Sequence, residues 1–322
     1  MVMSTPVIEK PKLGISACLM GAEVRFNGGH KESHLCTRAL SQYFDFVQAC
    51  PEVAIGMGIP REPIRLVGDA ENPRALGTVN RELDVTEALA DYGTQMAEEL
   101  GDICGYIFMQ KSPSCGLERV KVYRENGAPV DGGGTGIYAK AFCERHPNLP
   151  VEEDGRLNDA VLRENFVTRV FAYSAWQQLL KEGVTRRALT EFHSRYKYQL
   201  MANDPVQYKA LGKMLGSMGR SDPKDIAPQY FSDLMTALKK CATRRTHTNV
   251  LQHLAGYLKQ TIGAEDKQEI QQLIGQYHQG IVPLIVPLTL LKHHFRQHPD
   301  PYVALQVYMQ PHPENLSLRN AI

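Results

Sequence analysis

The stretch Lys12-Leu13-Gly14-Ile15-Ser16-Ala17-Cys18 decides the fold: a short apolar run, bounded like a buried strand, ends on a cysteine. The arrangement recurs twice. Phe44 to Ala49 is a second such run ending at Cys50, and Cys104 to Met109 is a third, followed by Lys111-Ser112-Pro113-Ser114-Cys115-Gly116. Helical stretches lie between them. Thr37 to Gln42 reads as a short helix, and Asp84 to Leu100 as a longer amphipathic one stopped by Gly101. Gly132 to Gly136 opens another that continues through Cys143. Strands alternating with helices predict an α/β unit with a mostly parallel sheet and crossover connections.

The second half has no comparable strand signal. Asn158 to Lys181 carries apolar residues at helical spacing, and further helices are expected at 186–201, 206–217, 227–243, 247–262, 265–278 and 283–297. The expected domains are therefore 1–165, α/β, and 166–322, all-α. A chain of 322 residues with 43% hydrophobic and 22% charged residues suits two folded domains and excludes disordered, collagen-like and coiled-coil classes. The longest apolar stretch, Gly280 to Leu291, is interrupted by Pro283 and Pro287 and is too short to span a bilayer. Met1 to Lys10 lacks the apolar segment of a secretory signal. The cytoplasm is the expected compartment, with neither membrane nor DNA as a partner. In that reducing setting, seven cysteines are unlike a disulfide framework.

The net charge of +1 conceals an asymmetry. Residues 1–164 hold 17 Lys+Arg against 24 Asp+Glu, or −7, and residues 165–322 hold 19 against 11, or +8. A basic second half suits a polyanionic partner or, more blandly, a solvated surface facing an acidic neighbour.

Cys18, Cys50 and Cys115 share a post-strand setting, and loops after the carboxyl ends of parallel strands meet in one crevice. Three readings stay open on the residues alone. The thiols are ordinary buried side chains, or they hold zinc with His30 as fourth ligand, or they hold a [4Fe–4S] cluster by three irons and leave the fourth open. Cys36, Cys104, Cys143 and Cys241 lack that setting and read as core thiols. Glu52, two residues past Cys50, is a candidate general base or a helix-start residue. Ser112 is a candidate proton donor or a loop-stabilising hydroxyl. Arg61 reads as an anion contact or a salt-bridge partner. The glycine-rich Asp131 to Gly136 has amides for a phosphate or base, but matches neither a dinucleotide fingerprint nor a P-loop.

Taken together, Ser16 to Gly21, Val24 to Lys31, Cys50 to Val53, Pro60-Arg61 and Lys111 to Gly116 resemble the thiouracil desulfidase family over about residues 12–165. Phe192 to Met201, Asn249 to Lys259, Tyr277 to Leu284 and Asp300 to Tyr302 resemble a second family, a helical domain of unknown function. The fusion of the two is similar to the bacterial tRNA 4-thiouridine desulfidases. The resemblance implies a [4Fe–4S] cluster on Cys18, Cys50 and Cys115, with Glu52 and Ser112 catalytic. It implies non-redox replacement of thiocarbonyl sulfur by water oxygen, giving uridine and hydrosulfide. Asn27, His30, Arg61 and Ser114, inside these motifs, are the candidate substrate-binding residues. The expected partner is tRNA containing 4-thiouridine, with free thiouracil as the alternative substrate and a non-catalytic iron–sulfur RNA-binding protein as the third reading. Arg195, Lys197, Lys239, Lys240, Arg244 and Arg245 are the candidate tRNA contacts, chosen by clustering. Met20 and Phe26 depart from the family's Leu and Tyr.

Overall fold

The computed structural model describes residues 10–219 and 221–322. Residues 1–9, to which the reading of the N-terminus applies, lie outside the described residues. The chain forms two compact units, 1–158 and 159–322. The division falls before residue 165 because Asp159 caps a helix of the second unit: its carboxylate accepts the Val161 and Leu162 amides, both at 2.9 Å.

In the first unit, β1 (Lys12–Ser16), β2 (Asp45–Ala49), β5 (Tyr106–Phe108) and β7 (Val151–Glu153) form a wholly parallel sheet in the order β2-β1-β5-β7. Gly14 sits at the centre of this sheet. A Cβ there would lie 2.2 Å from the Tyr106 ring, so only glycine leaves room for that ring on the neighbouring strand. Tyr106 stacks on Phe108 at 4.0 Å and meets Phe142 edge-on at 5.1 Å, which seats α3 (Ile137–Arg145) on the sheet. The short helix expected at 37–42 is a π turn (Leu35–Ala39) running into a 3-10 turn (Leu40–Gln42).

A second sheet was not legible from the pattern of apolar runs. β3 (Ile64–Gly68) pairs antiparallel with β4 (Pro73–Gly77) and parallel with β6 (Val122–Tyr123). Ile64, Leu66, Ala75 and Val122 pack beneath α2 (Thr86–Glu99) through Val85 and Leu89. α1 (Pro51–Ala54) is a single turn that starts on Cys50.

The second unit is helical, as expected: α4 (Ala160–Glu182), α5 (Arg186–Asn203), α6 (Pro205–Gly216), α7 (Pro223–Lys239), α8 (Arg244–Tyr257), α9 (Ala264–Gln279), α10 (Ile285–Gln297) and α11 (Pro301–Ala304). Sequence sets several of the starts. Asp204, Asp222 and Asp300 cap helices whose first residue is Pro205, Pro223 or Pro301, where a missing N–H costs nothing. Trp176 stacks flat on Phe231 at 4.7 Å in one core, and Tyr198, Leu254, Ile274 and Leu288 build another. No helix among the described residues is long and apolar enough to cross a membrane.

The last residues are tied to α4 by a buried ion pair, Arg319 Nε to Glu164 Oε1 at 3.1 Å. Burial alone would raise the Glu164 carboxyl, but the neighbouring His312 ring and Arg319 guanidinium outweigh it and bring it down from 4.5 to about 2. This depressed value means that the pair's contribution is present above about pH 4.5 and fades as pH falls toward 2. Arg319→Leu, which leaves the His312 ring as the carboxylate's remaining partner, should cost roughly 3 kcal/mol at neutral pH in urea unfolding. The variant's acid dependence should also weaken, with His312 sustaining the rest; an unchanged midpoint would contradict the assignment.

Candidate functional site

Adjacent parallel strands place successive carboxyl ends about 5 Å apart, so the loops after β2, β1 and β5 emerge side by side. Each brings one cysteine. Cys50, Cys18 and Cys115 line a single cavity of about 440 Å³, together with Glu52, Arg61, Ser112 and Ser114. Cys36, Cys104, Cys143 and Cys241 lie away from this lining.

Cys18 and Cys115 both feel the Cys50 sulfur. Burial, then the nearby Cys50, pushes the Cys18 thiol up to about 11. Burial raises Cys50 as well, against amide hydrogen bonds from the first turn of α1. Cys115 is raised furthest, by burial and then by the Glu52 carboxylate. Without a cation these sulfurs are protonated at neutral pH; a metal centre would bind them as thiolates and release protons.

Glu52 is gripped on both oxygens. Ser114 Oγ donates to Oε1 at 2.6 Å, and Arg61 donates to Oε2 through Nε at 2.8 Å and Nη2 at 2.7 Å. Arg61 is itself pinned, with Nη1 on the Gly58 carbonyl at 3.1 Å and Nη2 on the Val24 carbonyl at 2.9 Å. Its side chain is only 4% exposed. Arg61 is therefore a buried partner of Glu52 in this cavity. Because the Ser114 proton goes to Glu52, Ser112 Oγ, 2.9 Å from Ser114 Oγ, donates to it in turn. The line Ser112–Ser114–Glu52 is a continuous hydrogen-bonded chain.

The loop that carries Cys115 is held from three sides. Asp154 accepts the Gln110 amide at 2.9 Å before it, and Glu153 accepts the Leu117 amide at 2.8 Å after it. The glycine-rich segment closes the third side. The Gly136 amide donates to the Gly116 carbonyl at 2.7 Å, and those of Ile137 and Ala139 donate to the Pro113 and Ser114 carbonyls, both at 3.1 Å. Within the Asp131 to Gly136 segment, the Gly136 amide is committed to the cysteine loop and the Gly134 amide to the Val120 carbonyl at 2.8 Å, so neither is a donor for phosphate. Neither Glu153 nor Asp154 was singled out from sequence; acidic residues at the end of a parallel strand were the available signal.

The other candidates fall in different places. Asn27 and His30 are exposed and outside the cavity lining; Asn27 Oδ1 accepts the Gly29 amide and His30 Nδ1 the Glu32 amide, each at 3.2 Å. The zinc reading thereby loses its fourth ligand, and no group of three His, Cys, Asp or Glu side chains suits a metal ion among the described residues. Arg25, Lys31 and Lys111 line the cavity and were missed, although each lies inside a quoted motif. In the helical unit Lys240 pairs with Asp204, Arg244 lies over the Tyr277 ring, and Lys197 lies over Tyr198 and Tyr302. Arg195, Lys239 and Arg245 are exposed.

A Cβ on Gly136 would fall 2.6 Å from the Ser114 backbone. Gly136→Val should push the Ser112–Cys115 loop off its seat, destabilising the first unit by about 1–3 kcal/mol. Native-state labelling of Cys115 by a thiol reagent should accelerate; unchanged labelling with unchanged stability would refute the bracing role.

The 2-thiouracil desulfurase family matches residues 13–154, and a family of unknown function, DUF1722, matches residues 197–313. The chain is 32% identical to YbgA of Escherichia coli strain K12, an uncharacterized protein, over 49% of this chain and 94% of that one. It is 30% identical to YbbK of Bacillus subtilis strain 168, also uncharacterized, over 45% and 97%. Among solved structures it is similar to the [4Fe–4S]-dependent thiouracil desulfidase TudS, with 28% identity, coverage of 46% and 94%, and a TM-score of 0.35. The chain belongs to the 2-thiouracil desulfurase family and carries a DUF1722 region beside that domain.

Proposed function

We propose that the protein is a [4Fe–4S]-dependent desulfidase that converts 4-thiouridine in tRNA to uridine and hydrosulfide. The observation that carries the reading is the gathering of Cys18, Cys50 and Cys115 in one cavity with Glu52. Three soft donors from three loops around one cavity fit a multi-iron centre whose irons each take one thiolate. Held in this way, the cluster supplies one iron without a protein ligand, a Lewis acid for thiocarbonyl sulfur.

The chain's own residues do the rest. Glu52 takes the proton of the attacking water on a carboxylate whose direction Arg61 and Ser114 fix. Once Glu52 holds that proton the hydroxyl line reverses, Glu52 donating to Ser114 and Ser114 to Ser112, so that Ser112 passes a proton to the pyrimidine ring as oxygen replaces sulfur at carbon and the sulfur leaves as hydrosulfide. No electrons are exchanged. Arg25, Lys31 and Lys111 around the cavity suit the phosphates flanking a thiolated nucleotide. The base would be extruded from any stack to enter, at a cost of a few kcal/mol. The +8 half of the chain supports tRNA over free thiouracil as the substrate.

Glu52→Gln should retain the iron–sulfur absorbance of the anaerobically reconstituted protein and lose about 10²- to 10⁴-fold in turnover of thiolated tRNA, measured by nucleoside analysis. Cys18→Ala should lose both the absorbance and the turnover. Full activity in Glu52→Gln, or a colourless reconstituted wild type, would overturn the reading.

A further inference from the structure

Ser16, Ser112 and Ser114 all line the cysteine cavity, and each hydroxyl carries one proton. Two of those protons belong to the line that ends on Glu52. The Ser114 proton goes to Glu52, and to Ser112 when the line reverses, so it stays within the line in either direction. Ser114 Oγ therefore has none to give the Cys115 sulfur, although the two atoms lie 3.7 Å apart. Ser16 stands outside the line. It ends β1, where parallel pairing with β5 brings it beside Met109, and its Oγ accepts the Met109 amide at 3.0 Å. That bond uses a lone pair and leaves the proton. The same hydroxyl hydrogen-bonds the Cys115 sulfur, and at 2% exposure Ser16 is closed to competing water. Burial and then the Glu52 carboxylate raise the Cys115 thiol; the Ser16 bond works against them, because it favours the charged sulfur.

We propose that Ser16 is a positioning residue of the metal centre, its hydroxyl donating to the Cys115 sulfur once that sulfur is an iron-bound thiolate. The inference rests on the iron–sulfur reading above and deepens it. Hydrogen bonds to the ligating sulfurs of such a centre set its reduction potential. A donor favours the state with more negative charge and so raises that potential. In a reaction that exchanges no electrons, the charge drawn from the sulfur leaves the irons better Lewis acids. Cys50 takes its hydrogen bonds from amides of Glu52 and Val53. Cys115 takes this one from a side chain, which substitution can remove.

The test reads the potential and not the turnover. Full-length wild type, Ser16→Ala and Ser16→Thr are reconstituted anaerobically, titrated with dithionite and followed by electron paramagnetic resonance. Ser16→Ala should keep the iron–sulfur absorbance and hold the reduced form about tenfold less favourably, about 59 mV more negative for one electron. Ser16→Thr, which keeps the hydroxyl, should return close to the wild-type potential. Ser16→Ala also frees the Met109 amide, and circular dichroism melting follows that structural cost separately. Lower stability at an unchanged potential would reduce Ser16 to a strand-end support and overturn the proposal, leaving the desulfidase reading intact. An equal shift in both variants would overturn it too, since its source would be the end of β1 and not the hydroxyl. If Ser16→Ala takes up no cluster, Ser16→Thr decides: uptake at the wild-type potential supports the proposal, and no uptake overturns it. If wild type itself takes up no cluster, the iron–sulfur reading falls and takes this inference with it.

Discussion

The parallel pairing of β1 with both β2 and β5 is the constraint on which the site depends. It sets three strand ends in one row, so cysteines separated by tens of residues in the chain share a cavity. Antiparallel pairing would have sent alternate loops to opposite edges. The pairing in turn depends on Gly14, because the Tyr106 ring crosses the space that any side chain at that position would fill. Fold and chemistry meet in that central strand.

Around the row, polar groups are spent on positioning. Glu153 and Asp154 leave the end of β7 to hold backbone amides on either side of the Cys115 loop, and the Gly136 amide holds it from behind. Arg61 spends its fork on Glu52 and two carbonyls. Glu52 and the Cys115 loop are thereby fixed by backbone and buried side chains, which is what preorganisation requires.

Much of this was legible in the sequence for a simple reason: a buried parallel strand writes itself as a short apolar run, and a functional loop follows it. Lys12 to Ala17 and Phe44 to Ala49 show this, and so do the capped helices of the second half. Other features were hidden. β3 and β4 are short, share their stretch with several glycines and prolines, and pair with each other, so their period was lost among turn signals. Missing that sheet left Arg61 looking like one half of an isolated surface pair, when a tertiary contact nine residues back makes it the clamp on Glu52. Ser114 was placed among substrate contacts, and its bond to Glu52 needed coordinates, since spacing says nothing of where a hydroxyl points. The glycine-rich segment misled because glycine serves close packing as readily as anion binding.

The central claim is that water oxygen replaces sulfur at a carbon presented to Glu52 and the three cysteines. Its most direct measurement is incubation of the anaerobically reconstituted protein with thiolated tRNA in ¹⁸O-water, followed by mass spectrometry of the nucleosides. The account predicts loss of 4-thiouridine and its replacement by uridine carrying one heavy oxygen. Intact 4-thiouridine in the presence of a fully loaded cluster, or uridine without the label, would contradict it.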